Sequence, residues 1–126
     1  FVKEKVNILN KKDFYAFKNK KCFFAMTAHI VYRDIDKLNT ATHSKKVINL
    51  IRNKIKFRNL IISDDISMKG LKFSIEINTK KAFSAGCNLV LHCNGRFKEM
   101  MIVARNSPMV NKFIITKTSQ FNKILS

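Results

Sequence analysis

Two adjacent carboxylates, Asp64 and Asp65, follow the apolar run Leu60-Ile61-Ile62 with only Ser63 between. A carboxylate at the end of a buried strand can serve as a nucleophile or a general acid or base, because the backbone there is well fixed. Read from the bare residues, a solvated turn after a strand is the commoner alternative, with an Asp capping a helix near Met68. Successive side chains of a strand point to opposite faces, so Asp64 and Asp65 cannot both aim at one substrate. Two further polar groups follow apolar runs: Thr27 and His29 after Cys22–Met26, and His92, Cys93 and Asn94 after Leu89–Leu91. His29 could touch a substrate, although a lone histidine more often has a structural role. His43 is expected to be exposed near a helix start. His92 faces either the mouth of the fold or its packing.

The elements that must position these residues alternate between strands and helices. Residues 12–20 place Phe14 and Phe17 on one helical face, and Cys22–Thr27 suits a strand buried on both faces. Ser44 can cap a helix carrying Val47, Ile48, Ile51 and Ile55. Leu60–Ile62 forms a second strand. A helix from about Glu76 carries Thr79, Ala82 and Phe83 on one side, with Gly86 as its C-terminal cap. Leu89–Leu91 forms a third strand, and Phe97, Met100, Met101 and Ala104 mark a third helix that Ser107-Pro108 stops. Beyond Met109 the order weakens, with one strand-like or helical segment around Phe113–Ile115. Short buried strands separated by helices imply parallel βαβ connections, in which chemistry gathers at the strand C-termini. The pattern indicates an α/β fold without separating a barrel from an open sheet.

Composition narrows the functional classes. The 126 residues are 46% hydrophobic, which argues against disorder, and no apolar run approaches the ~20 residues of a membrane-spanning helix. Phe1-Val2-Lys3-Glu4 does not resemble a secretory signal, so a cytoplasmic location is the default, and the missing initiator Met suggests a fragment. A formal charge of +17 invites a nucleic-acid reading. Lysine supplies 20 of the 25 basic residues, however, and these are spread along the chain without interleaved aromatics. Specific base and phosphate contacts favour the arginine fork, so weak attraction to polyanions is expected and specific nucleic-acid binding is not. Cys22, Cys87 and Cys93 form no disulfide framework and read as small buried thiols. A zinc site from Cys87, His92 and Cys93 lacks a fourth ligand. Neither a metal nor a cofactor is expected.

Three blocks carry a resemblance to a known family. Ala25-Met26-Thr27-Ala28-His29-Ile30-Val31-Tyr32, with Asp34-Ile35-Asp36 after it, resembles the sixth barrel strand and following loop of glycoside hydrolase family 3 β-N-acetylhexosaminidases. Leu60-Ile61-Ile62-Ser63-Asp64-Asp65-Ile66-Ser67-Met68 is similar to the seventh strand with its nucleophile signature. Ala85-Gly86-Cys87-Asn88-Leu89-Val90-Leu91-His92-Cys93-Asn94 is similar to the eighth strand and its lead-in. The blocks occur in the family's order, and the resemblance runs from about Asp13 to Pro108.

The resemblance implies a partial (β/α)8 TIM barrel, about the last three β/α units, over residues 1–108, with a C-terminal tail at 109–126. It implies a retaining hydrolase that releases terminal β-N-acetylglucosamine from muropeptides, as in cytoplasmic peptidoglycan recycling. Asp64 is the implied nucleophile and Asp65 a neighbour that holds the loop. Met68 and His29 are the candidate substrate contacts. A full barrel needs eight units. The family's acid/base histidine, on the loop after the fifth strand, and its lysine-histidine pair would precede Phe1. A separately encoded N-terminal half is therefore the expected partner, and an inactive fragment the alternative. The chain also departs from the family pattern. Thr40 stands for the usual proline, Lys56-Phe57-Arg58-Asn59 for a Gly-Phe-Asp-Gly turn, and Asn88 for an acidic residue.

Overall fold

The computed structural model describes residues 1–18 and 22–125. The chain order is α1 (Val6–Lys11), β1 (Phe24–Met26), α2 (Lys45–Asn53), β2 (Leu60–Asp65), α3 (Ile75–Ala85), β3 (Leu89–Leu91), α4 (Phe97–Arg105) and α5 (Lys112–Leu125). Short 3₁₀ turns lie at Phe14–Phe17 and Ala41–His43. The three strands form one parallel sheet in the order β1-β2-β3, so each connection crosses over through helical structure. Among the described residues no helix is long and apolar enough to cross a membrane.

The helices start and stop for local reasons. Ser44 accepts a hydrogen bond from the Val47 N–H at 3.3 Å, and Ser74 one from the Ile77 N–H at 3.4 Å, satisfying donors that each first turn leaves open. Gly86 ends α3 with φ of 114°, and a Cβ there would lie 2.9 Å from Ile48 Cγ2. Both the backbone and the close approach of α2 require glycine. Ile48, Phe57, Ile61, Ala82, Ala85 and Cys87 form the core, with Ala25 and Val90 against it. These residues pack the sheet onto the α2–α3 layer.

Several expectations are corrected. Instead of a helix over 12–20, α1 ends at Lys11 and a single 3₁₀ turn follows, with Phe14 buried and Phe17 exposed. The remainder of that segment, residues 19 and 20, lies outside the described residues. β1 is not buried on both faces: Phe24 is 36% and Met26 59% exposed, because they share the face of the sheet opposite the helix layer against which Ala25 packs. The apolar stripe of α4 forms as expected, yet none of its residues is buried. The weakly patterned tail is a 14-residue helix, whose Phe121 packs against Phe23 and Phe24 with ring centroids 5.6 and 5.2 Å apart. Only Cys87 is a buried thiol, pushed up to about 12 by burial, while Cys22 and Cys93 are exposed.

Two of the departures from the family pattern have visible consequences at the N-terminal edge of the sheet. Lys56 adopts φ of 62°, where a Cβ crowds the backbone and the family's glycine would not. Arg52 donates from Nη1 to the carbonyls of Phe57 (3.0 Å) and Asn59 (2.6 Å) and from Nη2 to Asn88 Oδ1 (2.7 Å). The same Asn88 oxygen accepts the Ile61 N–H at 2.9 Å. Burial and then the charge of Arg58 lower the Arg52 pKa, and its partners are all neutral.

Lys56→Gly should therefore raise stability by about 1 kcal/mol by removing left-handed strain. Urea denaturation followed by circular dichroism checks it, and an unchanged midpoint would show that residue 56 carries no strain. Asn88→Asp should add about 1 kcal/mol by giving Arg52 a charged acceptor in the existing geometry. That gain should persist at moderate salt, since the pair is partly withdrawn from solvent.

Candidate active site at the C-terminal edge of the sheet

β2 and β3 lose register where the chemistry is expected. Ile62 pairs with Leu89 and Asp65 with Leu91, so three steps on β2 face two on β3. The extra residue is a bulge, a device that re-aims side chains and ends pairing. The fully buried Ser63 hydroxyl accepts the Leu91 N–H at 3.0 Å and takes the place of a ladder carbonyl. Pairing then resumes, with the Ile66 N–H donating to the Leu91 carbonyl at 2.9 Å.

Asp65 organises the corner that follows. Its Oδ1 accepts from the Ser67 N–H (3.0 Å), the Ser67 hydroxyl (2.7 Å) and the Cys93 N–H (3.2 Å). Burial pushes its carboxyl up, but these hydrogen bonds outweigh it and hold the pKa below the usual carboxylate range. Asp64 is partly exposed and accepts one bond among the described residues, from the Asp65 N–H to Oδ1 at 2.8 Å. One carboxylate of the pair is consumed by the backbone and the other is left available.

His29 reaches this corner from β1. Its Nε2 lies 2.8 Å from the Asp65 carbonyl and its Nδ1 2.9 Å from Thr42 Oγ1, so both ring nitrogens have partners within the protein. Thr42 is in turn 2.9 Å from Thr27 Oγ1, and both threonines are buried. Met68 stands on the same corner, its N–H donating to the Asp65 carbonyl at 3.1 Å and its side chain 48% exposed rather than in the core. Thus Asp64, His29 and Met68 come together at one strand end. Thr42 and Ser63 were not singled out from the sequence. A serine just before an Asp pair was the available signal for Ser63, whereas nothing local marks Thr42.

The other histidines lie behind the corner. His43 is buried rather than exposed, because Ala41–His43 forms a 3₁₀ turn against α3 and the His43 ring lies 6.3 Å from that of Phe73. Burial lowers its pKa to about 4, with the charge of Lys81 adding to the effect. His92 turns out to face packing: its Nε2 lies 3.0 Å from Glu99 on α4, and its side chain is 6% exposed. Among the described residues no group of three or more His, Cys, Asp or Glu is placed to hold a metal ion.

Residues 3–122 match the glycosyl hydrolase family 3 N-terminal domain. The chain belongs to this family. A beta-hexosaminidase of Actinobacillus succinogenes is 38% identical over 71 residues, covering 55% of this chain and 20% of that protein. One of Haemophilus influenzae is 33% identical over 90 residues, 66% of this chain and 26% of that protein. The β-N-acetylglucosaminidase of Thermotoga maritima superposes with a TM-score of 0.71 at 29% identity, over 83% of this chain and 24% of that one. NagZ of Neisseria gonorrhoeae gives 0.75 at 24% identity, over 91% and 34%. The fold is a partial TIM barrel, and the chain spans between a fifth and about a quarter of the length of these curated relatives.

The buried His43 makes the stability of the fold depend on pH. His43 is neutral in the fold and protonates near 6.5 when unfolded, so its contribution is complete above about pH 6.5 and is lost as pH falls toward 4. Between pH 7 and 4.5 the chain should lose about 2 kcal/mol more than His43→Gln does. Equal losses in paired denaturation curves would mean that His43 titrates normally.

Proposed function

We propose that this chain supplies the nucleophile-bearing part of a retaining β-N-acetylhexosaminidase, with Asp64 as the nucleophile. The observation that carries the reading is the division of labour at the corner. Asp65 spends its carboxylate on Ser67 and Cys93, while Asp64 keeps an oxygen that no described residue occupies. An Asp64 oxygen attacks the anomeric carbon as the glycosidic bond breaks, forming a covalent glycosyl-enzyme that water then hydrolyses. The departing oxygen takes its proton from an acid on the preceding β/α units, where the family keeps its histidine. Exposed Met68 lies where it can border the sugar. The substrate class is terminal β-N-acetylglucosamine on muropeptides, in cytoplasmic peptidoglycan recycling. The named beta-hexosaminidase and β-N-acetylglucosaminidase relatives support the glycosidase reading, and the family resemblance supports the finer one.

Turnover requires the rest of the barrel. The outer edge of β1 borders an apolar cavity of about 410 Å3, lined by Phe14, Phe24, Met26, Tyr32, Val47 and Leu50 among others. A preceding β/α unit, from the same polypeptide or a separate half, would cover that edge and fill that cavity. A second reading keeps the ancestry without turnover, and the left-handed Lys56 favours it.

A chromogenic β-N-acetylglucosaminide, offered to the chain assembled with the five preceding units, separates the two. Asp64→Ala should reduce kcat by about 10⁴-fold or more, and Asp65→Ala should leave measurable turnover. Full activity in Asp64→Ala would remove the nucleophile assignment, and an inactive wild-type assembly would favour the second reading.

A further inference from the structure

His29 has no ring nitrogen left to offer a sugar, yet it is tied to the backbone beside Asp64. A carbonyl only accepts, so the proton must sit on Nε2, which donates to the Asp65 carbonyl at 2.8 Å. In the neutral ring Nδ1 then accepts from the Thr42 hydroxyl at 2.9 Å, a shorter contact than the 3.3 Å from that hydroxyl to the Ala28 carbonyl, and Thr42 accepts from the Thr27 hydroxyl at 2.9 Å. The relay therefore runs in one direction, from the end of β1 through the Ala41–His43 turn to the corner after β2.

The peptide between Asp65 and Ile66 is held at both ends. Its carbonyl accepts from His29 Nε2 at 2.8 Å and, at the longer 3.1 Å, from the Met68 N–H, and its own N–H donates to the Leu91 carbonyl at 2.9 Å. The preceding N–H, that of Asp65, is the group bonded to the Asp64 carboxylate. Gly70 closes the other side, since a Cβ there would approach His29 Cβ to 3.2 Å. We infer that His29 is a positioning residue, which sets the Asp64 carboxylate through the Asp65 backbone and touches no substrate itself. This deepens the glycosidase reading and rests on it for its kinetic consequence, but the relay is a property of the chain alone.

Two measurements test it separately. In the 126-residue chain, nitrogen NMR of the imidazole should show the Nε2–H tautomer with a slowly exchanging proton. His29→Phe should lower hydrogen-exchange protection at Ile66 and Cys93, and His29→Gln, whose amide can still donate, should restore part of it. An Nδ1–H tautomer, or unchanged protection in His29→Phe, would overturn the relay whether or not the protein is a glycosidase. In the assembled barrel, His29→Phe should cut kcat by about 10²-fold at unchanged KM, with partial rescue by His29→Gln. A raised KM at unchanged kcat would instead make His29 a direct substrate contact. If the assembled wild type has no turnover while the tautomer and protection are as stated, the glycosidase reading fails and the relay stands.

Discussion

The corner after β2 depends on a hydrogen bond that a regular sheet would not contain. Because β2 carries one residue more than β3 between Ile62 and Asp65, the Leu91 N–H would face a missing carbonyl. A buried, unpaired backbone donor costs about as much as a lost hydrogen bond. The Ser63 hydroxyl removes that cost, and the strand can then turn without leaving its neighbour. Alanine at this position would keep the volume and lose the bond. The geometry of Asp64 and Asp65 thus begins one residue before them.

Around this point the fold exchanges apolar burial for position. Thr27, Thr42, Ser44, Ser63, Asn78 and Thr79 are all buried, in a layer where a domain of this size would ordinarily place aliphatic side chains. Each makes at least one hydrogen bond, and the Asn78 amide nitrogen ties the Ile66 carbonyl to that of Phe73 while its oxygen has no partner among the described residues. A set of directional bonds of this kind fixes one arrangement more sharply than interchangeable methyl groups do. It adds little apolar burial, however, and the core beneath it is small. The opposite side of the sheet, with exposed Phe24 and Met26, has apolar surface still to bury.

Local signals were legible in the sequence, and relations between distant segments were not. Ser44, Gly86 and Leu89–Leu91 announced a cap, a left-handed helix end and a strand because the physics involved spans four or five residues. The meeting of Asp64, His29 and Met68 at one edge followed from the parallel order. His43 was misjudged because its burial is decided by Phe73 on the approach to α3, thirty positions away. The two-faced burial of β1 was misjudged because a run of apolar residues says nothing of what covers each face, and here only the face of Ala25 meets the helix layer. The bulge was invisible, since it arises from the count of residues on two strands and from no residue type. For α5 the sequence left a strand-like or helical segment around Phe113–Ile115, and the helical alternative holds over a longer span, its fit against Phe23 and Phe24 becoming evident only in three dimensions.

Strain and the site lie at opposite ends of the strands. Lys56 and Asn88 precede β2 and β3, at the N-terminal edge, whereas Asp64, Asp65 and Met68 lie at or beyond the C-terminal end of β2. A left-handed lysine costs about 1–2 kcal/mol, and a half-buried guanidinium with only neutral acceptors adds to that. Such costs are a sizeable share of the roughly 5–15 kcal/mol that holds a whole domain together. They leave the hydrogen bonds of the corner intact, because each of those bonds is made within the C-terminal layer. A three-stranded piece with a small core has little reserve against them. The apolar surface beside β1 is where further burial would offset them, and on the proposed reading the preceding β/α unit would supply that burial and the acid of the site together.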